Sequence, residues 1–187
     1  MSRIRIFNTI DPTEVLVQHA SLEGIAAELR AIGVRFERWQ TDAGVAPGAS
    51  QDEVIAAYRG DIDRFMAEGG YQTVDVVSLK ADHPQKDEFR QKFLNEHTHA
   101  EDEVRFFVAG SGLFTLNVKG RVYEVLCEGG DLISVPAGTT HWFDMGPSPY
   151  FIAIRLFNNP AGWVANFTGT DTAQRFPRYE YGQALPA

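Results

Sequence analysis

The chain reads as mainly β with helices ahead of the strands, and three observations predict it. Beyond Glu96, short β-like runs recur at Val104–Val108, Leu113–Val118, Arg121–Leu126, Asp131–Val135, Thr140–Asp144 and Phe151–Phe157. Turn chemistry separates them at Gly110-Ser111-Gly112, Lys119-Gly120, Gly129-Gly130, Ala137-Gly138 and Gly146-Pro147. Many short strands with turns at close intervals predict a sandwich or small barrel. Before Glu96 the apolar spacing lengthens to that of helices, and capping residues stand where they begin.

Taken in order, Ile4 to Phe7 alternates with arginine and predicts a short strand. Ser21 is placed to cap a helix running to Arg30, with Leu22, Ile25, Ala26 and Leu29 on one side and Gly33 at its end. Val34 to Trp39 alternates like a strand, and Gly44 to Ala49 is a turn-rich connector. Ser50-Gln51-Asp52-Glu53 is a capping-box sequence. It opens a longer helix with Val54, Ala57, Tyr58, Phe65 and Met66 inward, closed by Gly69-Gly70. Tyr71 to Leu79 is β-like, and Asp82-His83-Pro84 reads as the N-cap of a charged helix through Phe93. His83 is then a surface residue at a helix entrance, and His19 another in a polar loop. The tail from Asn158, aromatic and rich in Gly and Pro, is expected to wrap the barrel. No repeat or low-complexity linker divides the 187 residues, so one domain is expected.

Composition narrows the partners. With 44% apolar and 22% charged residues, the chain is an ordinary globular sequence. A net charge of −8 and the lack of any Lys/Arg cluster argue against nucleic acid. A lone cysteine, Cys127, forms no internal disulfide and favours a reducing compartment. The N-terminus lacks the apolar stretch of a signal peptide, and no segment approaches a membrane-spanning length. A cytoplasmic protein with no membrane partner is expected. No long exposed apolar face is legible, which favours a monomer.

Two motifs carry chemistry. Glu96-His97-Thr98-His99-Ala100-Glu101-Asp102-Glu103 is followed later by Pro136-Ala137-Gly138-Thr139-Thr140-His141, so three of the five histidines join one carboxylate. On an extended strand His97 and His99 share a face. Glu103 and Arg105 keep that parity if the strand resumes in register. Three neutral imidazoles and a carboxylate suit a divalent first-row metal and leave positions free for a bidentate substrate. Glu96 and Asp102 have the opposite parity and are expected outside the ligand set.

The two motifs resemble those of the cupin superfamily. The first is met by His97, His99, Glu103 and Gly110, with Gln91 where a glycine is usual. The second is met by Gly130, Pro136, Gly138 and His141, with Met145 in place of its final Asn. Within that superfamily the chain is similar to the acireductone dioxygenases of methionine salvage. The strings Phe93–His99, Glu101–Phe107, Val135–Asp144 and Arg155-Leu156-Phe157 carry this resemblance, and the N-terminal half matches more loosely.

The resemblance implies a cupin-type double-stranded β-helix, or jelly-roll barrel, with an N-terminal region of helices and strands packed on it. The chain would be one cupin domain over 1–187, its metal-binding core at about 94–157. His97, His99, Glu103 and His141 would hold one Fe(II) or Ni(II) per chain, and the partners would be an acireductone and O2. The implied substrate is 1,2-dihydroxy-5-(methylthio)pent-1-en-3-one. With iron it would yield 4-methylthio-2-oxobutanoate and formate; with nickel, 3-(methylthio)propanoate, formate and CO. Arg105 would hydrogen-bond an enolate oxygen; Glu96 would bear on metal incorporation and Asp102 on relayed conformational change. Phe93, Phe143, Arg155 and Trp163 are expected around the substrate. Another metal-dependent cupin enzyme, or a cupin that binds without turnover, remains open at this point.

Overall fold

The structure, a computed structural model, describes residues 1–41, 44–159 and 164–180. Its frame is two antiparallel sheets that share one strand, β6 (Glu103–Val118). The first half of β6 lies between β10 (Phe151–Phe157) and β8 (Asp131–Val135), with β4 (Thr73–Leu79) and β3 (Arg35–Arg38) beyond them. Its second half lies between β7 (Arg121–Glu128) and β9 (Thr140–Asp144). That sheet continues through β1 (Arg3–Asn8) to β2 (Asp11–His19) on one side. On the other it reaches β5 (His97–Thr98) and β11 (Asn166–Phe167).

The sequence predicts two strands where β6 is one, split at Gly110-Ser111-Gly112. The chain bends there without leaving the ladder. Gly110 has φ +72°, and a Cβ on it would stand 1.8 Å from the Tyr150 carbonyl oxygen, so only glycine lets the strand turn against its neighbour. Just upstream, Phe107 and Ala109 face consecutive residues of β10, which leaves Val108 as an extra residue. The bulge reverses side-chain parity: Phe107 points into the barrel before it, Phe114 and Leu116 after it.

The barrel interior holds Ile4, Ile6, Phe107, Phe114, Leu116, Val125, Cys127, Ile133, Phe143 and Phe151, closed on one side by Ile25 and Leu29 of α1 (Leu22–Arg30). Ser21 caps α1 as expected, accepting from the Gly24 amide at 3.1 Å, whereas Leu22 is exposed. The outer face of β6 packs Val104, Phe106 and Val108 against Val54, Tyr58, Ile62 and Phe65. Val54 belongs to α2 (Gln51–Ala57), Ile62 and Phe65 to α3 (Arg59–Gly69), and Tyr58 lies between the two. The capping box at Ser50 and Glu53 forms, but the expected single helix breaks at Tyr58, whose φ −109° and ψ 18° are not helical. The break lets Tyr58 reach Phe106, with ring centroids 5.6 Å apart. α4 (Lys86–Leu94) begins after Gln85, which makes no side-chain cap, so Asp82 is not the N-cap. His19 ends β2, a strand missed in the sequence because its residues are mostly exposed and carry no alternation; the ring lies 3.5 Å from Glu28.

The tail returns across the barrel as expected. After β11, α5 (Thr172–Arg175) and Phe176 bury Ala173 and Phe176 against Phe7, Val122 and Trp142. Tyr179 bonds to Ser111 and, through its amide, to Asp144, which Arg90 of α4 grips with two bonds of 2.7 and 3.0 Å. No helix among the described residues is long and apolar enough to cross a membrane.

Candidate metal centre

Four buried side chains meet at one end of the barrel. His97 comes from β5, His99 from the loop after it, Glu103 from the start of β6 and His141 from β9. His97 and His141 are direct cross-strand partners, and Leu116 is His141's partner on the other side. The candidate ligand atoms of all four lie within 4.8 Å of one another.

Backbone acceptors orient the three rings. The Nδ1 of His97 lies 2.6 Å from the Asn95 carbonyl, that of His99 3.0 Å from Val164, and that of His141 2.8 Å from Thr139. A carbonyl oxygen can only accept, so each Nδ1 carries the proton and each neutral ring turns its Nε2 lone pair inward. Burial, and then the neighbouring His141, lowers the His97 pKa to about 4, which keeps that ring neutral near pH 7.

Glu103 completes the set. Its Oε2 stands 3.0 Å from His99 Nε2 and 2.9 Å from His141 Nε2. These separations resemble salt bridges, yet Glu103 Oε2 and His141 Nε2 are buried with no hydrogen bond. Lone pairs face one another here, a repulsive arrangement without a cation between them. Ligands about 2.1 Å from a common ion and at right angles would be separated by about 3.0 Å, so the spacing fits the edges of a coordination shell. Burial would raise the Glu103 pKa, but the neighbouring Arg105 charge overcomes it and holds the carboxyl well below its usual range.

The other carboxylate oxygen is engaged by Arg105, whose Nε donates to Oε1 at 2.5 Å. Arg105 is buried, on the inner face of β6, and its guanidinium is ringed by Phe143 at 4.8 Å, Phe114 at 5.5 Å and Phe93 at 5.9 Å. Burial lowers its pKa, and Glu103 opposes that shift while Arg155 adds to it. Arg155 faces Arg105 across the β10–β6 ladder, but its fork is held by Asp75 through bonds of 2.7 and 2.5 Å. Trp163 lies outside the described residues.

Glu96 and Asp102 stand outside the cluster, as parity requires. Asp102 accepts from the Ala137 amide at 2.9 Å, and the Gly138 amide donates to the His99 carbonyl at 2.8 Å. Both bonds tie the loop between His99 and Glu103 to the turn that leads into β9 and His141. Glu96 is buried among Asn117, Thr168 and Thr170, each donating to its carboxylate.

Phe114 was not foreseen. Its ring stacks on His141 with centroids 5.3 Å apart and planes 16° apart. Strand parity counted from Glu103 assigns it to the outer face, and only the Val108 bulge brings it inward. Nor could the orienting carbonyls be foreseen, since a backbone acceptor carries no residue signature.

The comparisons agree with this geometry. A sequence profile of the ARD/ARD' family matches residues 3–165. An acireductone dioxygenase of Stenotrophomonas maltophilia is 61% identical over 184 residues, covering 98% of this chain and 100% of that protein. One from Pseudomonas savastanoi pv. phaseolicola is 62% identical over 180 residues, covering 96% and 99%. A solved structure, acireductone dioxygenase from Bacillus anthracis with a cadmium ion in its active centre, superposes with a TM-score of 0.79. It is 32% identical and covers 89% of this chain and 98% of its own. With a profile spanning most of its length and relatives above 60% identity, the chain belongs to the ARD/ARD' family.

Proposed function

We propose that the chain is an acireductone dioxygenase of methionine salvage, oxidising 1,2-dihydroxy-5-(methylthio)pent-1-en-3-one with O2. One Fe(II) or Ni(II) per chain is held by His97, His99, Glu103 and His141. The observation carrying this reading is the buried convergence of inward lone pairs and a carboxylate oxygen, in a chain more than 60% identical to proteins of that name. A bound ion would supply Lewis acidity toward the enediol oxygens and, for iron, redox access to O2.

The protein's own part is electrostatic and steric. Glu103 contributes one negative charge and Arg105 one positive charge, so a dication and an acireductone dianion leave the site neutral. Arg105 is desolvated and fixed by Glu103 and three aromatic rings, so its charge is already in place when substrate arrives. Its positive charge favours the doubly ionised, electron-rich acireductone. Phe93 and Phe143 flank this cation and form a wall for the methylthioalkyl tail. Arg155, neutralised by Asp75, adds a dipole on the same face. Asp102 and Glu96 act through the ligand-bearing loops.

The net charge of −8 supports a small-molecule enzyme without a nucleic-acid partner, and the lack of a long apolar helix among the described residues supports one without a membrane, acting as a monomer. The lone buried Cys127 supports a cytoplasmic location. The test is apoprotein reconstituted with Fe(II) or Ni(II) and assayed for O2-dependent loss of acireductone absorbance. Iron is expected to give the keto acid and formate; nickel, 3-(methylthio)propanoate, formate and CO. Absence of O2-dependent loss with both metals would overturn the proposal, and identical products from both would overturn its metal-dependent outcome.

A further inference from the structure

We infer that Val164–Thr170 is a strap over the metal centre, latched by Glu96, and that Thr168 and Thr170 are positioning residues for His97 and His99. The inference rests on the metal-binding reading of the site, but its geometry stands independently. The strap touches two histidines in different ways. The Val164 carbonyl receives the Nδ1 proton of His99, and the Phe167 ring lies 5.9 Å from that of His97 in an edge-on contact.

Three observations identify the latch. First, the strap pairs with β5 over two residues only, Asn166 with Thr98 and Phe167 with His97. A ladder that short does not hold by itself. Second, apolar burial contributes little, because Val164 is 68% exposed and Phe167 53% exposed. Third, the Glu96 carboxylate receives Thr168 Oγ1 at 2.7 Å and Thr170 Oγ1 at 2.5 Å, and the Glu96 carbonyl receives the Thr168 amide at 3.0 Å.

A buried carboxylate is costly unless its oxygens are satisfied, and bonds to a charged group are the stronger kind. Glu96 has three side-chain donors, and two come from the strap; the third is Asn117 on β6. Strap and carboxylate therefore stabilise each other. The far end of the strap is anchored by Ala173 and Phe176 in the outer apolar cluster. Releasing the latch would free the strap at its Val164 end, and the His99 ring would lose the acceptor that fixes its tautomer.

The test replaces both hydroxyls with methyl groups, Thr168→Val together with Thr170→Val, and compares the pair with a double Ser variant. Release of Ni(II) from loaded protein into excess chelator is followed by absorbance. Amide hydrogen exchange is measured on the apoprotein. Loss of such outer partners weakens metal binding about 10–100-fold, and release is expected to accelerate by a similar factor in the double Val protein. The Thr168 amide is expected to lose protection, and the double Ser protein to recover both properties. Unchanged release would overturn the inference, as would faster release with Thr168 still protected. Failure of the proposed activity would instead show as absent turnover with either metal, while the exchange measurement on apoprotein still reports the latch.

Discussion

Arg105 donates its Nε–H to Oε1 of Glu103 while Oε2 of the same carboxylate faces His99 and His141, so one side chain is shared between the fixed cation and the metal centre. The two residues are separated by one position on β6, which places both on the inner face. Arg105 therefore orients a proposed ligand, and hydrogen bonding to the substrate is its second, proposed task.

That sharing separates the expected effects at Arg105. Arg105→Ala removes a buried charge-assisted bond worth roughly 1.5–3 kcal/mol, which corresponds to a loss of about one to two orders of magnitude in kcat. Arg105→Lys keeps the charge but not the planar fork, and is expected to recover only part of the rate. The measurements are kcat and bound metal on the same samples. Metal loss that accounts for all the lost activity would show that Arg105 acts on Glu103 alone.

His141→Ala is expected to lose most of the bound metal. His141 lies on β9 in the interior of a sheet with its own apolar core, so circular dichroism should remain close to that of the parent. Full metal content in purified His141→Ala would exclude it as a ligand.

Asp102→Ala removes the side-chain bond between the Glu103 loop and the Ala137 turn, leaving the Gly138–His99 bond. Metal affinity is expected to fall about tenfold or more, with little change in thermal stability, because the side chain is only partly buried. Competition with a chelating indicator measures the first, and calorimetry the second. Unaltered affinity would mean that the Gly138 bond suffices to hold the two loops together.

Gly110→Ala tests the bend in β6. A Cβ there meets the Tyr150 carbonyl, and φ +72° is strained for alanine, so a destabilisation of about 3 kcal/mol is expected. For a chain of this length that is a fall in Tm of roughly 6–12 °C. An unchanged Tm would show that the strand can turn without glycine.

The local order of the chain was legible where signals are short-range. The capping residues Ser21 and Ser50, the strand runs from Val104 onward and the ligand spacing all depend on neighbours a few positions apart. The ligand set was legible because metal chemistry restricts it to a few residue types, and His-x-His on a strand turns both rings one way.

What the tertiary structure decided depends on partners far apart in sequence or on backbone atoms. The Val108 bulge brought Phe114 inward because one extra residue reverses every later side chain. Tyr58 interrupted the expected helix to pack on Phe106, a tertiary contact that overrides local propensity. Glu96 found its partners at Asn117, Thr168 and Thr170, and the histidines found theirs in the carbonyls of Asn95, Thr139 and Val164. The sequence by itself determined which side chains can bind a metal, because that is a property of residue type and local spacing. Only the folded chain decided how they are oriented, because every residue carries a carbonyl and closure of the barrel selects which ones reach the rings.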